Sequence, residues 1–408
     1  MQLNTALFLA LLVTPYTTAA PSTVNRSPSR LQQRAVCTPT SAGSASKDDV
    51  PAIQAAIASC GNGGTIVIPA GKTYQIRSML SLAGCVGCDF QLEGTLKVSD
   101  DTDYWNNKQA IILLSGIKGA KFRSLTGGGL LDGNGQAAWE RFAADNSYGR
   151  PTLHSITKSS SDILVSNLRV KNAPNVFFVA TSGSTNIRYE HLYMTAVSSS
   201  STAPKNTDGF DISSSYTNMY NISVSNQDDC VAFKPGANYV TVDTITCKGS
   251  HGLSVGSLGG GVGSSDSVTN IYVKNANMQT SSKAVGIKLY PGGSSHGTAT
   301  VSNVTWDGVT VSSCDYAAQI QSCYNEDASY CTSSPSTAKL SKVYFKNFKG
   351  TTSSKYSPTT ANMNCPKGGT CDIHFENWTV KPASGTGRVL CINTPSNIGV
   401  TCTSGASG

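Results

Sequence analysis

Charged side chains are scarce in this chain. They make up 13 % of its 408 residues, against about 25 % in an ordinary globular protein. That excludes a highly charged disordered chain and a coiled coil. The net charge is +7, without a dense Lys/Arg block, so nucleic acid is not an expected partner. A soluble polyanion is compatible with the mild positive excess. No segment approaches the roughly 18 uninterrupted apolar residues of a membrane span, so no membrane partner is expected. Long Ala/Glu/Lys/Leu stretches are missing too. Turn formers and β-branched residues dominate instead, with 39 glycines. The composition predicts an all-β fold.

Residues 1–19 read as a secretory signal peptide, with an apolar core from Ala6 to Val13 and small residues after it. The segment lacks a basic residue. Residues 20–34, with Arg26, Arg30 and Arg34, read as a pro-segment or tail, and 35–408 as one domain. Thirteen cysteines suit an oxidising compartment and an extracellular protein. The expected local pairs are Cys37–Cys60, Cys85–Cys88, Cys230–Cys247, Cys323–Cys331, Cys365–Cys371 and Cys391–Cys402. Cys314 is then free and buried. No second CxxC or His pair accompanies Cys85 and Cys88, which argues against zinc. Sequons stand at Asn25, Asn221, Asn303 and Asn377.

From about residue 110 a phrase repeats, such as Ser161-Asp-Ile-Leu-Val-Ser-Asn-Leu-Arg-Val170: alternating apolar residues, a break at Asn, Asp or Gly, then alternation again. Taking Ile163, Ile187, Met219, Val240, Ile271, Val301 and Val343 as openers gives separations of 24, 32, 21, 31, 30 and 42. Alternation means strands, here two or three of about 3–5 residues per copy. Repeats of this length mean a solenoid or propeller. The strands are too short for propeller blades, so the expected fold is a single-domain right-handed parallel β-helix, with rungs about 4.8 Å apart. A helix from Asp48 to Ala58 would cover its N-terminal end, with Asp48-Asp49 at its start and Pro51 in its first turn.

Between these phrases lies a second series: Asn206-Thr-Asp-Gly-Phe-Asp-Ile212, Gln227-Asp-Asp-Cys-Val-Ala-Phe233, Gly249-Ser-His-Gly-Leu-Ser-Val255, Ala284-Val-Gly-Ile-Lys-Leu-Tyr290 and Ala318-Gln-Ile-Gln-Ser-Cys-Tyr324. Anchored on Phe210, Val231, Leu253 and Ile287, the series places Asp208, Asp229 and His251 two residues before their anchors. Their separations, 21 and 22, match one turn. The three would stack outward into one groove, with Asp228 beside Asp229 and Lys288 joining from the next rung. Each motif alone reads as a turn or a solvated surface. Together they crowd like charges on adjacent rungs, which costs stability and pushes carboxylate pKa values apart. That is the pairing of acid and base that glycoside hydrolysis requires.

Asn206-Thr-Asp208, Asp228-Asp229, Gly249-Ser-His-Gly252 and Ile287-Lys288 together resemble the signature of glycoside hydrolase family 28, the polygalacturonase group. The resemblance covers essentially the whole mature chain. It implies inverting hydrolysis of galacturonan, with Asp228 as general acid. Asp208 and Asp229 would hold and deprotonate the attacking water, and His251 would tune the acid. Lys288 would bind a galacturonate carboxylate, Tyr324 would line the leaving-group subsite, and Asn206 would contact substrate. The chain departs from the family's Arg-Ile-Lys, having Gly286-Ile287-Lys288. Loss of that Arg removes a bidentate carboxylate grip and is expected to free volume in the groove. Gly286, the Pro235-Gly236 turn and the C-terminal segment from Gly399 are similar to fungal members that cut galacturonan carrying xylose. A different residue replacing the Arg would instead favour unbranched polygalacturonate. A calcium-dependent lyase would need a strong base such as Arg, absent from these motifs, and a mere binder would need no crowded carboxylates. No metal and no cofactor are expected, since the acid–base pair suffices. A monomer acting on acidic polysaccharide is the expected working form.

Overall fold

The computed structural model describes residues 34–408. The signal peptide, all but the last residue of the 20–34 segment and the sequon at Asn25 lie outside these residues. About half of the chain, 49 %, is strand, wound as a right-handed parallel β-helix. Two long sheets of 15 and 12 strands run its length, and every strand pairing is parallel. Parallel stacking of short strands needs both faces covered. Here the second sheet is the opposite wall of the same coil, and the shared interior is one continuous apolar core.

Like residues stack on like along that core. Phe90, Phe122, His154, Phe178 and Phe210 form one interior file with ring centroids 5.1–5.4 Å apart. Trp306, Phe345 and Phe375 form another at 5.2 and 4.8 Å. His154 replaces a phenyl ring in the first file. It is fully buried, and neither of its ring nitrogens has a hydrogen-bond partner. Burial lowers its pKa to about 3, so it sits in the core as a neutral ring.

The 15-stranded sheet corrects the expected strand length. Its strands run 11–17 residues in the repeat region, for example Ser161–Lys171 and Thr298–Cys314. Each strand turns a corner at a residue in the left-handed region without losing its pairing. One corner file runs Asn167, His191, Asn221, Thr244, Asn275, Asn347 and Asn377, all with positive φ. Asparagine tolerates that conformation better than other residues bearing a Cβ, which is why the repeats break at Asn. Two openers also shift. Thr217, not Met219, pairs with Ile187 and Val240, and Val304, not Val301, pairs with Ile271 and Val343. Thr217 escaped notice because it is polar. It is nonetheless fully buried, and its hydroxyl bonds Ser214 Oγ at 2.7 Å.

The N-terminal helix spans Val50–Cys60. It buries Val50, Ile53, Ala56, Ile57 and Cys60 and packs on the first strands of both sheets. Asp49 is not its side-chain cap. The Asp49 carboxylate accepts bonds from Ala42 N and Gln75 N at 2.6 and 2.7 Å, and so ties the entering chain to the first coil. Three further short helices, Thr102–Trp105, Gln136–Ala144 and Ala328–Ser333, interrupt the coil. All six expected disulfides are present, and Cys314 is free and buried. The three described sequon asparagines are exposed at corners. No helix among the described residues is long and apolar enough to cross a membrane.

Candidate active site

The 12-stranded sheet carries the site. Backbone pairing joins Phe210 to Val231, Val231 to Leu253, and Leu253 to Val285. The first three anchors are therefore correct, and Asp208, Asp229 and His251 do occupy one column. The fourth is two residues off: Ile287 pairs with Val255. With Val285 as anchor, the fourth member of the column is Lys283.

Rung-to-rung bonds hold the column closely. Gly209 N donates to Asp229 O, His251 N to Asp228 O, and Cys230 N to Gly252 O, all at 2.8–2.9 Å. Buried Asn226 donates to the carbonyls of both Thr207 and Asp229, at 2.6 and 2.9 Å, clamping the two aspartate motifs together. The Cys230–Cys247 disulfide fastens the second motif to the other sheet. At Gly252, φ is +102° and an added Cβ would lie 2.6 Å from Lys283 O, so glycine is required beside His251.

Asp208, Asp229 and Lys288 are buried, while His251 stands half-exposed at the mouth. Asp229 Oδ1 accepts from Ser254 Oγ at 2.8 Å, and its other oxygen is ion-paired with Lys288. His251 Nδ1 lies 3.1 Å from Asp228 Oδ1 rather than against Asp229. Asn206 Nδ2 donates to the other oxygen of Asp228 at 3.4 Å. The Tyr324 ring lies 5.5 Å from Lys288 Nζ and edge-on to Tyr290. Beside Asp228 and His251 opens a depression of about 550 Å³ flanked by Lys205, Asn206 and Lys248.

The carboxylates are split in proton affinity. Asp208 is held well above the usual carboxylate range, by burial first and then by the charges of Asp211, Asp228 and Asp229. For Asp228 burial is again the largest influence and pushes upward. It is outweighed by His251, by the bond from Asp229 N and by Lys288, and the net direction is down. In the substrate-free cluster the proton therefore belongs on Asp208 rather than on Asp228. Asp228, Asp229 and His251 converge closely enough to share a cation, but Lys288 already neutralises Asp229.

Sequence reasoning missed four members of this network. Asp211, one residue past the Phe210 anchor, is pushed up by burial against the pull of Lys234, whose Nζ lies 3.6 Å away. Asp211 follows the inward Phe210 by one residue, so strand alternation turns it outward, and that signal could have found it. Lys283 and Arg150 complete the set. Arg150 donates to Asn206 Oδ1 at 2.7 Å and to Lys205 O at 2.7 Å, with its guanidinium 3.8 Å over the Phe142 ring. It belongs to no motif, so only the structure reveals it. The space above Gly286 is not freed as expected. A Cβ there would lie 2.8 and 2.9 Å from Cδ and Cε of Lys283, whose side chain fills it.

A model for glycosyl hydrolases family 28 matches residues 60–402. The chain belongs to that family. This family 28 chain is 57 % identical over 392 residues, 96 % of each chain, to endo-xylogalacturonan hydrolase A of Aspergillus tubingensis. It is also similar to the crystal structure of endo-xylogalacturonan hydrolase from that organism, with a TM-score of 0.90 covering 92 % of this chain and 100 % of the other. The polygalacturonase of Erwinia carotovora shares its coil at 18 % identity, with a TM-score of 0.59 over 90 % of this chain and 99 % of the other.

Proposed function

We propose that this family 28 enzyme cuts, within the chain and with inversion, the α-1,4-galacturonan backbone of xylose-substituted galacturonan. One observation carries the reading. Asp208 and Asp228, with proton affinities pushed in opposite directions, stand with Asp229 on adjacent rungs of a chain 57 % identical, over 96 % of its length, to a protein named for that activity. Asp228 gives its proton to the glycosidic oxygen as the C–O bond breaks. Water held by Asp208 and Asp229 attacks the anomeric carbon from the other face and loses its proton to that pair. Ser254 and Lys288 hold Asp229 in place for this. Substrate covers Asp228 and brings its own negative charge. Both effects raise the Asp228 pKa and load the acid when it is needed. His251 sets how readily that happens. Tyr324 and Asn206 flank the cleavage point, and Lys288 offers its remaining N–H bonds to the substrate. No metal takes part, so activity should survive EDTA. The chain works as a secreted monomer after loss of residues 1–19.

Asp228→Asn should lower kcat by roughly 10²–10⁴-fold while substrate binding persists; unchanged kcat would remove Asp228 as the acid. Substrate is tested by comparing xylogalacturonan with unbranched polygalacturonic acid and sizing the products. Xylose-bearing oligomers with little attack on the plain polymer support the reading. A second reading, polygalacturonase activity on the unbranched polymer, is favoured by the lysine that fills the space above Gly286. Faster digestion of the plain polymer would establish it.

A further inference from the structure

Lys283 is the one lysine of the column that the acid–base chemistry leaves unused. It lies two residues before Val285, as Asp208, Asp229 and His251 lie two before Phe210, Val231 and Leu253, the residues that pair in register. Its side chain is more than nine-tenths buried, yet it makes no hydrogen bond or ion pair with any described residue. Its Nζ is not among the sealed polar atoms of the fold, so the ammonium at the end of this buried side chain still meets solvent. Lys283 stands two rungs from the acid Asp228, with the His251 rung between them. Burial lowers its pKa to about 8, opposed by the charges of Asp229 and Asp228 and reinforced by Lys288. It still carries charge at the pH of an acidic polysaccharide. Lys288, by contrast, has its ammonium committed to Asp229.

The route of the side chain is one of two features that exclude a Cβ at position 286, the other being Gln319 O on the next rung. Gly286 faces outward on the same strand, and the methylenes of Lys283 lie where its Cβ would stand. A Cβ at 286 would also lie 2.7 Å from Gln319 O, so any side chain there, the family's Arg included, would require both the neighbouring strand and Lys283 to shift. Gly286 and Lys283 are therefore one exchange: the cation enters from three residues upstream instead of from position 286.

We propose that Lys283 is a substrate-binding residue whose ammonium grips the carboxylate of a galacturonate unit in the groove, replacing the missing Arg. The proposal rests on the galacturonan reading above. A lysine offers a point charge where Arg offers a planar fork. It can therefore hold the carboxylate without dictating the sugar's orientation, which suits a backbone unit carrying a xylose branch.

The test compares the free-acid form of the polymer with its methyl ester, in which the carboxylate charge is gone. Lys283→Met keeps the methylenes that cover Gly286 and removes the charge. It should raise KM on the acid form by roughly 10–100-fold, the value of one charged hydrogen bond, and leave the ester almost unaffected. Lys288→Met should lower kcat as well, through Asp229, a loss that Lys283→Met should not share. Equal losses on acid and ester in Lys283→Met, or a lost preference only in Lys288→Met, would overturn the proposal. If Lys283→Met does not fold, Lys283→Gln provides the same comparison. Failure of the wild-type chain to cut either form would refute the galacturonan reading itself, a separable result.

Discussion

The two sheets both stack polar side chains rung upon rung, and they do so with opposite consequences. On the 15-stranded sheet the stack is a relay of amides. Asn303 donates to Asn270 at 2.8 Å, Asn270 to Asn238 at 2.9 Å, and Asn377 to Asn347 at 2.8 Å. Each of these donors finds its acceptor on the neighbouring rung, and the linked side chains are neutral except where an aspartate such as Asp307 accepts from Asn347. On the 12-stranded sheet the same geometry stacks Asp208, Asp229, His251 and Lys283, with Asp211 and Asp228 alongside. There burial and like charge act against ionisation, and Lys234, Lys288, His251 and hydrogen bonds within the cluster compensate. One helix therefore uses rung stacking for cohesion on one side and for perturbed acidity on the other. The difference lies in the residue types, since the backbone register is the same.

Asp208→Asn should break this contrast most strongly. It should cost roughly 10²–10⁴-fold in kcat and change the pH dependence of stability. Asp208 has a folded pKa above its unfolded value of about 3.9. Its contribution is thus full below that value and lost as pH rises through the folded one. The variant should not show that loss, so melting curves of the two proteins should diverge as pH increases. Parallel curves would mean that Asp208 is not the proton reservoir.

His154 gives the opposite sign on the interior face. Its folded pKa of about 3 lies below the unfolded value of about 6.5. Stability is full above that unfolded value and falls as pH drops toward the folded one, by an amount on the order of a few kcal/mol. His154→Phe should remain stable over that acid window, as denaturant midpoints at pH 4 and pH 7 would show. Equal acid sensitivity in both proteins would place the titrating group elsewhere.

The smallest effect belongs to the amide relay. Asn347 receives from Asn377, donates to Asp307 Oδ1 at 2.6 Å and holds a φ of +57°. Asn347→Ala should cost about 1–2 kcal/mol with kcat unchanged. Asn347→Gly, which relieves the backbone, should recover part of it. A fall in activity from either variant would show that the two stacks are coupled through the core.

Particular residues show how far the chain could be read in advance. The column of Asp208, Asp229 and His251 was legible because each precedes an apolar anchor by two residues at one-turn spacing. Local cysteine pairing was legible because neighbouring rungs lie close together. Val285 was passed over for Ile287 because both are apolar residues of one strand with the same orientation, and period-2 alternation does not distinguish positions two apart. That slip hid Lys283. Thr217 was passed over because a buried hydroxyl looks polar in a sequence and behaves as core once Ser214 satisfies it.

The sequence by itself determined the coil, its corners and the order in which the site motifs stack, because periodicity and residue type are local properties. Tertiary structure alone decided which aspartate holds the proton, which lysine is already paired and what fills the space above Gly286. Those outcomes depend on desolvation and on distances between rungs roughly 20–30 residues apart in sequence, which the spacing of letters does not encode.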